Sequence, residues 1–202
     1  MKQLFLNYSL MNIKKYYPDY DEQKLDEIRY GLEGIYLSVT KLIVISALSI
    51  ILNIFYEMII MLICFNILRT TGFGIHAKKS IQCWISSIIM FIFLPFISKY
   101  FVISKTVHIL LGILLLLLIV LYTPADTYKR PLIKKKKRII YKIITTINTL
   151  ILIIISFYTN STITNLILFG ISIEVILTNP ITYKVFQLPY QNYKTYGLNR
   201  HV

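Results

Sequence analysis

From Gly34 to Leu68 the chain is an almost unbroken apolar run, interrupted by Lys41, Asn53, Glu57 and Asn66, and further long apolar runs follow, separated by short polar stretches. A helix crossing a bilayer needs about 20 mainly apolar residues. The pattern predicts spans near 34–52, 54–68, 82–98, 101–122, 139–158 and 162–180. The first apolar region divides at Asn53–Tyr56 into two rather short spans. One long tilted span is the competing reading, and it would move residues 69–84 to the opposite face of the bilayer. Glu57 and the short second segment also fit a re-entrant helix. The predicted fold class is all-α: a polytopic membrane protein with about six transmembrane or re-entrant helices and an N-terminal amphipathic segment.

Residues 1–31 mix Leu4, Phe5, Leu10, Ile13, Leu25 and Ile28 with Lys2, Lys14, Lys15, Lys24 and Arg29, the composition of a segment lying on a membrane surface. Pro18, Asp19 and Asp21 are expected to break it in two, with the second half helical. No apolar core followed by a small-residue cleavage site marks a signal peptide there. The membrane-embedded part is expected to occupy 32–180, and 181–202, aromatic and basic, reads as an interfacial tail. Positive residues are retained on the cytoplasmic side. The six-span arrangement gathers there the N-terminal arm, Arg69, Lys78, Lys79, the block Lys129–Arg138, Lys184, Lys194 and Arg200, leaving Lys99 and Lys105 outside. Both termini then lie in the cytoplasm.

Composition narrows the class. At 56% hydrophobic residues and mean hydropathy +0.64, 202 residues leave no room for a sizeable soluble domain beside the spans. The net charge of +13 is distributed between apolar segments rather than concentrated in one patch, and no aromatic-basic motif accompanies it, which argues against a nucleic-acid partner. Cys64 and Cys83 are too few for a disulfide framework and read as thiols, Cys64 as a core residue. One His and two Cys without compact ligand spacing do not furnish a zinc site, and no cofactor is implied.

Chemistry concentrates in Arg69–Trp84, RTTGFGIHAKKSIQCW, a polar basic stretch between apolar regions. An imidazole and a thiol are the minimum equipment for cysteine-based acyl transfer. On one straight helix residues seven apart are separated by about 10.5 Å along the axis, too far for a thiol to imidazole hydrogen bond. Gly72 and Gly74 are therefore expected to form an irregular loop carrying His76, with Ser80 as N-cap and Cys83 in the first turn of the next helix. Helix N-termini and nearby cations stabilise thiolates, so Cys83 is the candidate nucleophile and His76 the candidate base. A cytoplasmic turn with an incidental His and Cys is the competing reading. Arg69 reads as a positive-inside anchor or as a donor to a substrate carboxylate or oxyanion. Asp126 is a candidate for orienting His76, in competition with Gln82 and backbone carbonyls. The run Lys134–Arg138 is a topology signal, a docking surface for an acidic peptide or anionic headgroups, or both. His108 reads as a packed or interfacial histidine, and Glu174, within the last apolar run, as a structural partner or a substrate contact.

The residues Arg69, Gly74, His76, Ala77 and Cys83, spaced R-x4-G-x-H-A-x5-C, together with Tyr122–Leu132, YTPADTYKRPL, resemble the AgrB family of membrane peptidases that process a bacterial quorum-sensing precursor. Length and hydropathy fit throughout. The resemblance implies an integral cysteine endopeptidase of the bacterial cell membrane with its site at the cytoplasmic face and His76 and Cys83 as catalytic residues. Arg69, Gly74, Asp126, Lys129 and Arg130 become its substrate-binding or supporting residues. The implied substrate is an AgrD-like precursor peptide with an acidic C-terminal tail, cyclised to a thiolactone or lactone after tail removal. Anionic membrane lipid is a further expected partner, and the resemblance allows a homodimer. The alternative from another class is a small transporter or channel-like protein using Glu174, His108 and the basic loops.

Overall fold

The computed structural model describes residues 2–75, 80–127 and 131–194. These divide into two compact units, 1–48 and 49–202. In the first, α1 (Lys2–Tyr16) is followed by the opening of α2 (Glu22–Ile51). Lys2 pairs with Glu33 and the Phe5 ring lies 5.4 Å from that of Tyr36, over the buried Leu6. The break comes where Pro18 and Asp21 predict it: Asp21 Oδ1 accepts from the Lys24 amide at 2.8 Å, supplying an N-cap. Beyond it α2 continues to Ile51, straight through the boundary predicted at 31/32. Gly31 and Gly34 lie inside the helix and each costs it only about 1 kcal/mol relative to alanine, too little to stop a long apolar segment.

The second unit opens on the turn that splits the first apolar region. Asn53, at φ 53°, takes the left-handed conformation that asparagine tolerates, and Ile54 N donates to Ser49 O at 2.9 Å, ending one helix before α3 (Phe55–Gly72) begins. Next come α4 (Ser80–Ile88), a π-helical turn Ile89–Phe93 and α5 (Leu94–Ser98). Pro95 explains the π turn: it has no N–H for the carbonyl four residues back, so the ladder slips by one residue and Leu94 N reaches Ile89 O. α6 (Lys105–Tyr122), α7 (Lys135–Ser156), α8 (Ser161–Thr178), the short α9 (Pro180–Val185) and a 3-10 turn Asn192–Lys194 complete the described helices.

Among the described residues six segments are long and apolar enough to cross a membrane, as the hydropathy pattern predicts: Glu22–Ile51, Phe55–Gly72, Ile81–Ser98, Lys105–Tyr122, Lys135–Ser156 and Ser161–Thr178. Glu57, the awkward charge of the second span, pairs with Lys99 at 3.1 Å. The spans turn their small polar residues inward. On α7, Thr145, Thr149 and Ser156 are buried while Ile139, Ile143, Ile147 and Ile154 are exposed, which suits a helix whose solvent is hydrocarbon. α8 is the central rod, its window 61% buried, packed against α3, α6 and α7. Cys64, Leu68, Leu115, Ile119, Leu152, Ile167 and Ile171 form the main core. Cys64 is thus the core residue the sequence predicts, and α8 comes close to it at Gly170, where a Cβ would lie 3.1 Å from the Cys64 Cβ.

Candidate functional site

At one end of the second unit the C-termini of α3, α6 and α8 meet beside the first turns of α7. Here α3 ends in a reversal rather than continuing toward Cys83. Phe73 has φ 62° and Gly74 φ 89°. Gly74 tolerates no side chain: a Cβ would stand 2.6 Å from Leu177 O and 2.7 Å from Arg69 Nη1, on a backbone that already disfavours L-residues. A Cβ on Gly72 would run into the Glu174 carboxylate. The helix-breaking loop predicted from these two glycines is present, and its physical basis is close approach as much as conformational freedom.

Arg69 holds the loop. Its guanidinium donates to Phe73 O, to Gly74 O at 3.3 Å and to Ile75 O at 2.5 Å. Carbonyls past a helix C-terminus lack intrahelical partners and carry the negative end of the helix dipole, so a cation is the fitting cap. Glu174 Oε2 on α8 lies 3.8 Å from Arg69 Nη1. With its side chain 13% exposed and its donors directed at the loop, Arg69 in this arrangement organises protein backbone.

The loop is also tied to the second motif. Gly74 N donates to Ala125 O at 2.8 Å and Ala125 N to Gly72 O at 2.9 Å, a parallel bridge between Phe73 and Ala125. Ile75 N donates to Leu177 O at 3.0 Å. The stretch beginning at Arg69 and the Pro124-Ala125-Asp126 segment, some 50 residues apart, therefore form one piece. Sequence alone offers no sign of this bond.

Asp126 is buried, and its carboxylate accepts backbone amides from Asn192 at 2.9 Å, Tyr193 at 2.8 Å and Leu132 at 3.3 Å. It latches the C-terminal segment and the start of the basic loop to the same centre. Tyr183 on α9, which sequence reasoning missed, donates its hydroxyl to Asp126 O at 2.9 Å and to Ala125 O at 3.3 Å. Burial, reinforced by the negative charge of Asp126, pushes the Tyr183 phenol above the ordinary tyrosine range, so it stays a donor. Tyr183 packs with Ile75 and Ala125. The aromatic character of the tail was visible in the sequence; this inward contact was not.

α4 begins at Ser80, and Cys83 sits in its first turn, partly buried and not disulfide-bonded. The Cys83 carbonyl accepts Ser86 Oγ at 3.1 Å and Ser87 Oγ at 2.7 Å. His76, Lys129 and Arg130, and with them Lys78 and Lys79, lie outside the described residues; the structure brings Arg69, Gly74 and Asp126 together and leaves Cys83 at the head of the helix that follows. A cavity of about 210 Å³ opens beside Asp126, lined by Arg138, Lys142, Tyr190 and Tyr193 among others, with the Arg138 guanidinium 3.8 Å over the Tyr193 ring.

The opposite end holds His108, whose Nε2 lies 2.7 Å from Ser156 Oγ and whose ring stacks 4.4 Å from Phe157. That is the packed histidine the sequence suggests.

No solved structure matches the chain. It is 33% identical over 182 residues to an AgrB-like protein of Listeria monocytogenes, covering 87% of each chain. Against an AgrB-like protein of Clostridium acetobutylicum it is 33% identical over 171 residues, 84% of this chain and 82% of the other. Against the accessory gene regulator protein B of Staphylococcus aureus it is 36% identical over 160 residues, 78% and 83% respectively. The model of the AgrB family, accessory gene regulator B, matches residues 7–178, a stretch that contains all six apolar helices and the joined loops just described; the chain belongs to the AgrB family.

Proposed function

We propose that this protein is an integral-membrane cysteine endopeptidase that removes the C-terminal tail of an AgrD-like quorum-sensing precursor and promotes cyclisation of what remains. Family membership supports involvement in accessory gene regulator quorum sensing. The observation that carries the finer reading is the pairing of a clamped loop, ending at Ile75 just before His76, with a thiol in the first turn of the following helix.

In this reading His76 takes the proton of Cys83, and the thiolate attacks the carbonyl carbon of the last residue of the peptide core. The C–N bond breaks as the imidazolium protonates the leaving amine, releasing the tail and leaving the core as a thioester on Cys83. A thiol or hydroxyl within the core then attacks the thioester, closing a thiolactone or lactone and returning the Cys83 thiol. Because the thioester conserves the acyl bond energy, ring closure needs no ATP as long as water is kept away. The site end carries Arg69, Arg138, Lys142 and Lys184, whereas Lys99 and Lys105 lie at the other, which supports a cytoplasmic location for the site. Lys129, Arg130 and the cavity cations Arg138 and Lys142 suit an acidic tail and anionic headgroups.

The test uses membranes containing the cognate precursor. Cys83→Ala and His76→Ala insert normally and release no tail; substantial cleavage by either variant ends the assignment.

A further inference from the structure

We propose that Glu174 is a positioning residue for the reaction: through Arg69 it fixes the Phe73–Ile75 backbone and thereby sets where the adjoining His76 stands. This rests on the peptidase reading above and assigns the last span a part in it.

Glu174 lies in the interior of α8 with no solvent exposure, and neither carboxylate oxygen has a hydrogen-bond partner among the described residues. Its ion partner is Arg69, at 3.8 Å. A buried pair of that length, whose carboxylate has no supporting hydrogen bond among the described residues, is a poor stabiliser; apolar side chains of similar size usually do as well or better. Its value lies in what it does to Arg69. A guanidinium among apolar helices is drawn to the membrane interface unless a counter-charge holds it at depth. Held beside Glu174, Arg69 directs its donors to three successive carbonyls, those of Phe73, Gly74 and Ile75.

Two contacts show that the carboxylate is seated against the loop. The absence of a Cβ at Gly72 is what leaves room for it on the last turn of α3. One turn further along α8, Leu177 O receives the Ile75 amide at 3.0 Å. The last span therefore grips the loop by a charge and by a carbonyl, and the grip ends at the residue before the base. Transfer of a proton between imidazole and thiol demands close placement, and a displacement of about 1 Å costs on the order of 100-fold in rate.

The experiment compares full-length wild type, Glu174→Gln, Glu174→Met, Arg69→Met/Glu174→Met and His76→Ala, each with Cys64→Ala so that iodoacetamide reports on Cys83. Gln keeps the volume of Glu and removes its charge. Expected for Glu174→Gln is a fall in kcat for tail release on the order of 100-fold with little change in KM. Its alkylation rate against pH moves to the His76→Ala profile. The double Met variant regains the thermal stability in detergent that Glu174→Met alone loses, because the unpaired buried charge is gone, yet its kcat stays low. A Glu174→Gln enzyme with wild-type kcat and alkylation profile overturns the proposal, as does a double Met variant with wild-type kcat. Trypsin cleavage after Lys78 and Lys79 in open membranes reads the loop independently of chemistry. Faster cleavage in Glu174→Gln than in wild type supports the clamp, and equal rates reject it, even if Cys83→Ala were to cleave precursor and so remove the peptidase reading.

Discussion

The two ends of the second unit use buried polar groups in different ways. At the far end, His108 meets Ser156, Asn165 Nδ2 bonds the carbonyls of Ser98 and Phe101, and Lys99 joins Glu57 to Asn53 O; these contacts tie helix ends to one another and to the short turns beside them. At the site end the polar groups of Arg69, Asp126 and Tyr183 bond the backbone of loops and of the C-terminal segment, and the loops at Gly74 and Ala125 bond one another. The first arrangement closes a bundle. The second fixes buried irregular chain, where a peptide group left without a partner costs about 1–3 kcal/mol. The difference singles out the end that carries the proposed site.

The comparison breaks most sharply at Gly74. Gly74→Ala sets a Cβ 2.6 Å from Leu177 O on a backbone at φ 89°, and is expected to cost on the order of 100-fold or more in tail release by displacing the loop, with about 1–3 kcal/mol of stability. Precursor cleavage together with thermal unfolding in detergent checks both.

Asp126→Asn comes next. The amide group replaces a carboxylate oxygen and faces backbone N–H donors, so the latch to Asn192 and Tyr193 loosens, at about 1–3 kcal/mol. Hydrogen exchange at the amides of Leu132, Asn192 and Tyr193 should rise, and unchanged exchange would show that Asp126 does not hold the tail.

Tyr183→Phe removes the hydroxyl bonds to Asp126 O and Ala125 O but keeps the packing, for about 0.5–1.5 kcal/mol. The pH dependence has a definite sign. A phenol whose folded pKa is raised lends its stability fully below the ordinary tyrosine pKa and loses it as pH rises beyond that value toward the folded one. Wild type should therefore lose thermal stability at strongly alkaline pH faster than Tyr183→Phe.

The smallest effect on activity belongs to the far end. His108→Leu forfeits the bond to Ser156 Oγ and the stacking on Phe157, lowering stability by about 1 kcal/mol while tail release proceeds at the wild-type rate. A large loss of cleavage there would erase the distinction between the two ends.

Much of this architecture was legible because its causes are local. Asn53 marks the turn between the first spans, Pro18 and Asp21 the break before α2, and Gly72 and Gly74 the end of α3. The continuity of α2 past residue 31 was not legible, since an amphipathic segment and a span read as different compositions although the backbone joins them without a break.

By itself the sequence determined the number of apolar helices, their boundaries within a few residues except for the start of α2, the family and the residue types available for acyl transfer, because hydrophobic run length and backbone-breaking residues act within one or two helical turns. Only the tertiary structure decided that Arg69 is paired with Glu174, that Ala125 is bonded to the Gly72–Gly74 backbone, and that Asp126 reaches the tail at Asn192 and Tyr193. Those contacts join residues 50 to 105 positions apart. Which carbonyl or amide a buried charge finds depends on how α3, α6 and α8 align at their ends, and that alignment is set by the summed packing of the whole bundle.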